Sequence, residues 1–408
     1  MPPMYAMYVF SILKKRGCEV EYTKKIKIDE IKKADYIILT SSIICHETEL
    51  EALKQIVNCG KKVFVIGIFG NVAKEKYKTI NSFVVPGEAE SFFLHVELNE
   101  NSLQKYFFDK ENEDASNKTI PNMVDNLDDL PFPDWNYYTK KYALRNNFLD
   151  FNSKTAIPIT ATRGCPYSCF NYCTYPLQQG RKVRFRSVQN VVKEMKHWIS
   201  KLGANKFIFR DPVFSINRKY TVDLCNEIIK ENLKITYLIE THLKNLDDEL
   251  ITLLKNSGLK LVYVGIESVN SEILKDIKRF TVDQEEQNNV IKKLVENDIY
   301  VKSMFMFGNP EDNEKTIKET IKYSMQLPHQ LVQYSVFTPY PGTPIYSLYE
   351  KKIIEKKMEK FNQYNLTFKH KNLDDHQITK LKNYAYKKFY FRIKNFPIIL
   401  KSALSLIR

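Results

Sequence analysis

Ile157-Pro-Ile-Thr-Ala-Thr-Arg163-Gly-Cys165-Pro-Tyr-Ser-Cys169-Phe-Asn-Tyr-Cys173 runs from a short apolar strand straight into a loop that carries three of the chain's seven cysteines. From there onward apolar strands begin near Ile157, Lys206, Lys234, Leu261, Tyr300 and Leu331. Amphipathic helices separate them, such as Val188–Ile199, which Ser187 opens as N-cap. Six β/α units in a row predict a partial parallel barrel, short of the eight that close one. In such folds chemistry collects at the carboxyl ends of the strands. The first end is the cysteine loop, and the second reads Phe209-Arg-Asp211-Pro. The third reads Glu240-Thr-His242 and the fourth Gly265-Ile-Glu267-Ser268. The last two are Phe307-Gly-Asn-Pro-Glu311 and Thr338-Pro-Tyr-Pro-Gly342-Thr-Pro344. Polar or turn-forming residues at all six ends mark one face of the barrel as a site.

Upstream, residues 1–97 alternate on a shorter spacing. Helix Tyr5–Arg16 is followed by strands at Glu19–Tyr22 and Asp35–Thr40, then by helix Glu47–Asn58. Strands at Lys62–Gly67 and Ser82–Val85 complete the unit. Apolar strands alternating with helices predict a doubly wound parallel sheet. The unit opens on a helix where such domains open on a strand, so the sheet is expected to be one strand short. The fold class is therefore α/β: an incomplete Rossmann-like domain over 1–97, a linker over 98–155, a (β/α)6 barrel over 156–345 and a helical extension over 346–408. The linker carries the polar stretch Asp109–Asn117 and the turn Leu130-Pro-Phe-Pro-Asp134. The apolar, basic tail Phe396–Arg408 is expected to pack on the barrel, with a membrane surface as the alternative.

Composition narrows the classes. The net charge is +14, but Lys and Arg are spread along the chain and interleaved with acids. That reads as a solvated surface rather than a nucleic-acid footprint. No apolar run approaches bilayer length. Near the start the basic cluster Lys14-Lys15-Arg16 follows the apolar stretch, the reverse of a secretory signal. An odd cysteine number without regular spacing argues against a disulfide framework and for a reducing cytoplasm. Cys18, Cys45, Cys59 and Cys225 are expected to be small buried core residues.

Three thiols on one loop are soft ligands, suited to iron–sulfur clusters or zinc. Three ligands of a four-position centre leave one position open, as a catalytic metal requires. A structural zinc would want a fourth Cys or His nearby, and the next histidines in the chain are His197 and His242. Lys182, Arg184 and Arg186 alternate with apolar residues, which puts three cations on one face of an extended stretch. That face is either a dock for an anionic partner or a solvated edge. Asp211 stands either at a ligand or in the turn before Pro212. His242, a lone histidine, is left without a role.

The cysteine loop with Tyr172, the segments Tyr175–Arg181 and Arg184–Arg186, Gly265–Ser268 and Thr338–Thr343 together resemble the radical S-adenosylmethionine (SAM) superfamily. The second cysteine spacer, Phe170-Asn-Tyr172, is one residue longer than the usual pattern. The resemblance implies that Cys165, Cys169 and Cys173 hold a 4Fe–4S cluster whose open iron binds SAM. Reductive cleavage would then start radical chemistry, fed by a donor such as flavodoxin or ferredoxin. It further implies that Tyr172 packs near the adenine and that Glu240, Gly265, Glu267 and Ser268 line the SAM cleft. Otherwise Glu240 and Glu267 would merely cap neighbouring helices.

Pro2–Ala6, Ala34–Ser41 and Val85–Glu90 resemble members with an amino-terminal cobalamin-binding domain. The turn Ile68-Phe-Gly70 departs from the paired glycines usual there, and the Asp-x-His-x-x-Gly motif is absent. The implied function is radical chemistry on a small molecule or biosynthetic intermediate, with cobalamin-dependent methyl transfer as its fuller form. The alternatives are rearrangement, cyclisation or oxidation without cobalamin, and a non-catalytic interaction protein with a degenerate loop.

Overall fold

The computed structural model describes residues 4–79, 81–108, 122–144 and 156–392. Two parallel sheets carry the fold. The first consists of β1 (Tyr36–Thr40), β2 (Lys62–Ile66) and β3 (Ser82–Val84), side by side in that order. Its faces follow the two-residue period of a strand. Val63 and Val65 pack with Leu53 and Ile56 on one side, while Phe64 and Ile66 pack with Phe92 and Phe93 on the other.

Helix Met4–Lys15 is apolar on both flanks because it is buried between the sheets. Tyr8, Val9, Ile12 and Leu13 join the core of the first sheet, whereas Met7 and Phe10 join that of the barrel. The strand expected at Glu19–Tyr22 does not form. In the doubly wound order 2-1-3-4-5 a second strand pairs only with the first, and the described residues contain no strand before this helix. Tyr22 turns instead to the aromatic rings of Tyr138 and Tyr142, each 5.7 Å away between centroids.

The stretch read as a linker contains helices at Glu100–Phe108 and Trp135–Lys141. Leu103, Val124 and Leu127 enter the core of the first sheet, and Trp135, Tyr138 and Leu144 enter that of the barrel. The polar stretch Asp109–Asn117 lies outside the described residues.

Two short strands frame the cysteine loop. They are β5 (Thr162–Arg163) and β6 (Arg184–Phe185), an antiparallel pair. The barrel sheet consists of β4 (Ile157–Ile159), β7 (Lys206–Phe209), β8 (Thr236–Thr241), β9 (Leu259–Glu267), β10 (Tyr300–Phe307) and β11 (Leu331–Val336). All six are parallel and lie in chain order, with β4 and β11 at the open edges. The six expected strands are therefore all present. Helix Val188–Leu202 begins at the Ser187 cap and stops at Gly203, whose φ of 60° is the left-handed conformation glycine adopts cheaply. Helix Asp375–Tyr390 of the carboxyl extension covers the β11 edge. Its Tyr386 hydroxyl accepts from Tyr334 N at 2.9 Å, and the Tyr390 hydroxyl donates to Val332 O at 3.3 Å. These bonds cap an edge that would otherwise be open to another strand. The tail from Phe396 lies outside the described residues. No helix among the described residues is long and apolar enough to cross a membrane.

All seven cysteines are free. Of the four expected in the core, only Cys225 is buried; Cys18 and Cys45 are exposed and Cys59 is partly so. Cys18 and Cys59 follow the ends of helices Met4–Lys15 and His46–Asn58, and Cys45 immediately precedes the second of these. Apolar neighbours along the chain do not bury a residue at such an end.

Candidate functional site

The cysteine loop is fixed at both ends by backbone. Gly164 has φ +96°, and a Cβ there would fall 2.1 Å from Lys182 O, so only glycine fits. Cys165 N donates to Gly180 O at 3.1 Å. The Asp211 carboxylate accepts from Ala161 N at 3.2 Å and from Thr162 N. Asp211 is buried, burial pushes its carboxyl up to about 6, and its oxygens are spent on the strand that leads into the loop. It is a positioning residue.

The longer spacer makes one turn. Ser168–Asn171 is a 3-10 turn, and Tyr172 N and Cys173 N donate to Cys169 O at 3.1 and 2.9 Å. Four residues apart on a helical turn, Cys169 and Cys173 face the same way, and each thiol acts on the other. The neighbouring thiol, with the nearby Arg279 cation, pulls Cys169 down to about 6 and leaves Cys173 raised. Burial raises Cys165, while a backbone N–H from Tyr167 works against it. Among the described residues no three His, Cys, Asp or Glu side chains gather as ligands of one ion. A 4Fe–4S cluster takes its thiolates at separate corners, so the soft donor set suits it better than a single zinc.

Arg279, which the sequence did not single out, joins the loop to the fourth strand end. Its Nη1 lies 3.8 Å from Cys169 Sγ, and its Nη2 donates to Gly265 O at 2.7 Å. A Cβ at Gly265 would stand 2.8 Å from both Arg279 Nη2 and Glu267 Oε1, so this glycine makes room for the pair. The β9–β10 register shifts between Gly265 and Glu267, and Glu267 takes φ +68°. Left-handed backbone at a non-glycine residue costs on the order of 1–3 kcal/mol and concentrates where a side chain must be aimed. Glu267 is aimed at Tyr172, whose hydroxyl donates to Oε1 at 3.4 Å. Burial raises Glu267, and Arg279 opposes the rise.

Glu240 accepts from the Tyr175 hydroxyl at 3.3 Å, and burial pushes it up to about 7. Neither carboxylate caps a helix. Ser268 is not part of this group: it is buried, with its hydroxyl 3.5 Å from Thr320 Oγ1 and accepting from Asn270 N. His242 is structural, with Nε2 2.9 Å from Phe280 O, and burial lowers it to about 4.

Arg184 and Arg186 form neither a dock nor a solvated edge. Arg184 is buried and grips Glu88 through two nitrogens at 2.8 Å each. Arg163, the residue before Gly164, reaches Glu88 at 3.2 Å and Glu90 at 2.9 Å. Burial would raise Glu88, but the two arginines hold it below the usual range; Glu90 stays raised by burial. Arg186 pairs with Glu194 inside the barrel wall at 2.5 Å. The β5–β6 pair lies beneath the loop after β3, which turns Arg184 inward, while Glu194 of helix Val188–Leu202 holds Arg186. Only Lys182 is exposed.

Residues 159–324 match the Radical SAM superfamily model. An uncharacterised methyltransferase of Pyrococcus horikoshii is 26% identical over 70% of this chain and 61% of its own length. The bacteriochlorophyllide d C-12(1)-methyltransferase of Chlorobaculum tepidum is also 26% identical, over 80% of this chain and 69% of its own. The chain thus spans about three fifths to two thirds of the length of these relatives. The radical SAM methyltransferase TsrM from Kitasatospora setae, solved with cobalamin and a [4Fe-4S] cluster, shares the fold. Its TM-score is 0.63 at 16% identity, covering 86% of this chain and 75% of that one.

Proposed function

We propose that this chain, which belongs to the radical SAM superfamily, holds a 4Fe–4S cluster on Cys165, Cys169 and Cys173 and cleaves SAM beside Glu267 to start radical chemistry on a small molecule. The observation that carries this is the Cys169–Cys173 turn, set against Arg279, Tyr172 and Glu267 at one barrel mouth. A bound cluster supplies the low-potential electron for that cleavage. The chain's own groups do the positioning. Arg279 offsets thiolate charge at Cys169, and backbone N–H groups of Tyr167 and Tyr175 donate to the Cys165 and Cys173 sulfurs. Glu267, held by Tyr172, offers its carboxylate to the ammonium of SAM. Exposed Arg181 and Lys182 beside the loop suit a small acidic electron carrier such as flavodoxin or ferredoxin. A reducing cytoplasm fits seven free thiols.

The fuller form of the reading is methyl transfer with cobalamin at the carboxyl edge of β1–β3, as the methyltransferase relatives suggest. Small residues fill the loops there: Ser41, Ser42, Gly67, Gly70 and Gly87. His46, in the connection after β1, is fully buried and lies 2.9 Å from the Tyr77 hydroxyl, so it is not offered to a cobalt. One observation favours the cobalamin-free alternative. A Cβ at Gly342 would fall 2.6 Å from Val72 and 3.3 Å from Leu177, so the sheet edge and the barrel mouth already touch.

Anaerobic reconstitution with iron and sulfide, followed by hydroxocobalamin and removal of free ligand, tests both forms. Broad visible absorption of a cluster with stoichiometric cobalamin supports methyl transfer. A cluster without cobalamin supports the second reading, and no cluster leaves the non-catalytic one.

A further inference from the structure

The excess of positive charge is concentrated at one place in the chain. From His376 to Arg408 the sequence carries eight Lys and Arg and no Asp or Glu, more than half of the net charge of +14. Helix Asp375–Tyr390 forms the first part of that stretch. Its inner stripe, Ile378, Leu381, Ala385 and Phe389, is buried in the barrel core. The outer stripe repeats at three and four residues, the spacing of one helical face. It consists of Lys380, Asn383, Tyr384, Lys387 and Lys388, with Phe391 just past the helix, and all of these are exposed. Lys382 and Arg392 turn inward instead, donating to Tyr364 O and Met325 O at 2.8 Å each.

The aromatic members of this face stand in water. Phe391 is 85% exposed and Tyr384 48%, and the Lys388 ammonium donates to the Tyr384 hydroxyl at 3.0 Å. The sequence continues through Phe396–Arg408, which holds seven Phe, Ile or Leu together with Lys401 and Arg408. That segment has no acid with which to complement the face lysines. A second copy meeting the first through the same face would set lysine against lysine. An anionic lipid surface meets both needs, since its head groups answer the cations and its acyl chains answer Phe, Ile and Leu. Nucleic acid answers only the first.

The direction of the helix keeps such a contact clear of the barrel mouth. A Cβ at Gly308, just past the carboxyl end of β10, would fall 2.8 Å from Ile378 Cδ1, whereas Tyr390 bonds to Val332 at the amino end of β11. The helix therefore descends from the mouth to the foot of the barrel, where Phe391 stands.

We propose that the outer face of helix Asp375–Tyr390, with the apolar and basic sequence that follows it, binds an anionic lipid surface. This does not depend on the chemistry at the mouth.

Sedimentation of the full chain with phosphatidylcholine vesicles, with and without phosphatidylglycerol, tests it. Binding is expected only where phosphatidylglycerol is present, and it should fall as salt is raised. A lysine close to an anionic surface contributes about fivefold. Lys380→Gln, Lys387→Gln and Lys388→Gln together should therefore weaken binding about a hundredfold. Phe391→Ser should weaken it several-fold, a loss that a purely electrostatic partner would not show. Lys196→Gln, Lys219→Gln and Lys230→Gln together remove the same charge from exposed positions on helices Val188–Leu202 and Arg218–Lys230, and should bind as the parent does. Circular dichroism matching the parent shows that the variants are folded. No binding by the parent, equal binding to phosphatidylcholine alone, or an equal loss in the two lysine sets overturns the proposal. So does tighter binding of a DNA or RNA duplex through the same three lysines, which would make the face a nucleic-acid site.

Discussion

The two parallel sheets spend their polar strand ends differently. At the edge of β1–β3 most buried polar groups are consumed by the protein, with His46 Nε2 left without a partner. The Ser41 hydroxyl donates to Ile66 O and accepts from Gly70 N, Glu88 is locked between Arg163 and Arg184, and His46 is bonded to Tyr77. Ser41, Glu88 and His46 are at most 5% exposed. At the barrel mouth Glu240, Glu267, Arg210 and Tyr175 stay partly exposed with bonding capacity to spare. Buried polar groups that are fully paired hold a structure together, and groups left reachable can bind. The barrel thus carries the proposed site, and the smaller sheet grips the strand that leads into the cysteine loop.

The largest expected break in this contrast is Cys173→Ala. Iron after reconstitution should fall from about four per chain to a small fraction of that, while Cys225→Ala, in the barrel core, should keep its iron. Retention of full iron in Cys173→Ala would release the third ligand.

The sheet side is tested by Arg184→Met, which strands Glu88 in the interior. Removing one partner of a buried pair costs about 3–5 kcal/mol, read as an earlier first unfolding transition in urea. An unchanged transition would mean that the grip between sheet and loop is slack.

Next in size is Gly265→Ala, whose methyl would press on Arg279 and Glu267. SAM binding should weaken about tenfold, or ~1.4 kcal/mol, with iron unchanged. Ser268→Ala, turned toward Thr320, should bind SAM as the parent does.

The smallest effect is in pH. Glu240 is raised to about 7, above its unfolded value, so its proton stabilises the fold at low pH and that stability is lost as pH rises through about 7. Relative to Glu240→Gln, the parent should therefore gain stability on acidification from neutral pH. An infrared titration should find a carboxyl midpoint near 7 that is absent from the variant.

Much of this was legible in the sequence. Largely apolar runs located all six barrel strands, and their polar ends located the mouth. What failed was whatever depended on a neighbour from elsewhere in the chain. Glu19–Tyr22 has strand-like residues but, among the described residues, no strand to pair with. The alternation at Lys182–Arg186 gave Arg184 and Arg186 a shared face, yet it carries no sign of Glu88, which binds the first, or of Glu194, which binds the second. Arg279 sits just past helix Ser271–Asp276 in a polar stretch, and no periodicity distinguishes it from a surface arginine. The extra spacer residue read as a departure; as a turn it brings Cys169 and Cys173 together.

Incubating the reconstituted protein anaerobically with SAM and a strong reductant, and measuring 5′-deoxyadenosine by mass spectrometry, tests the central claim most directly. The account predicts 5′-deoxyadenosine from the parent chain and none from Cys173→Ala. A fully loaded parent that yields none, or a Cys173→Ala variant that yields as much as the parent, would contradict it.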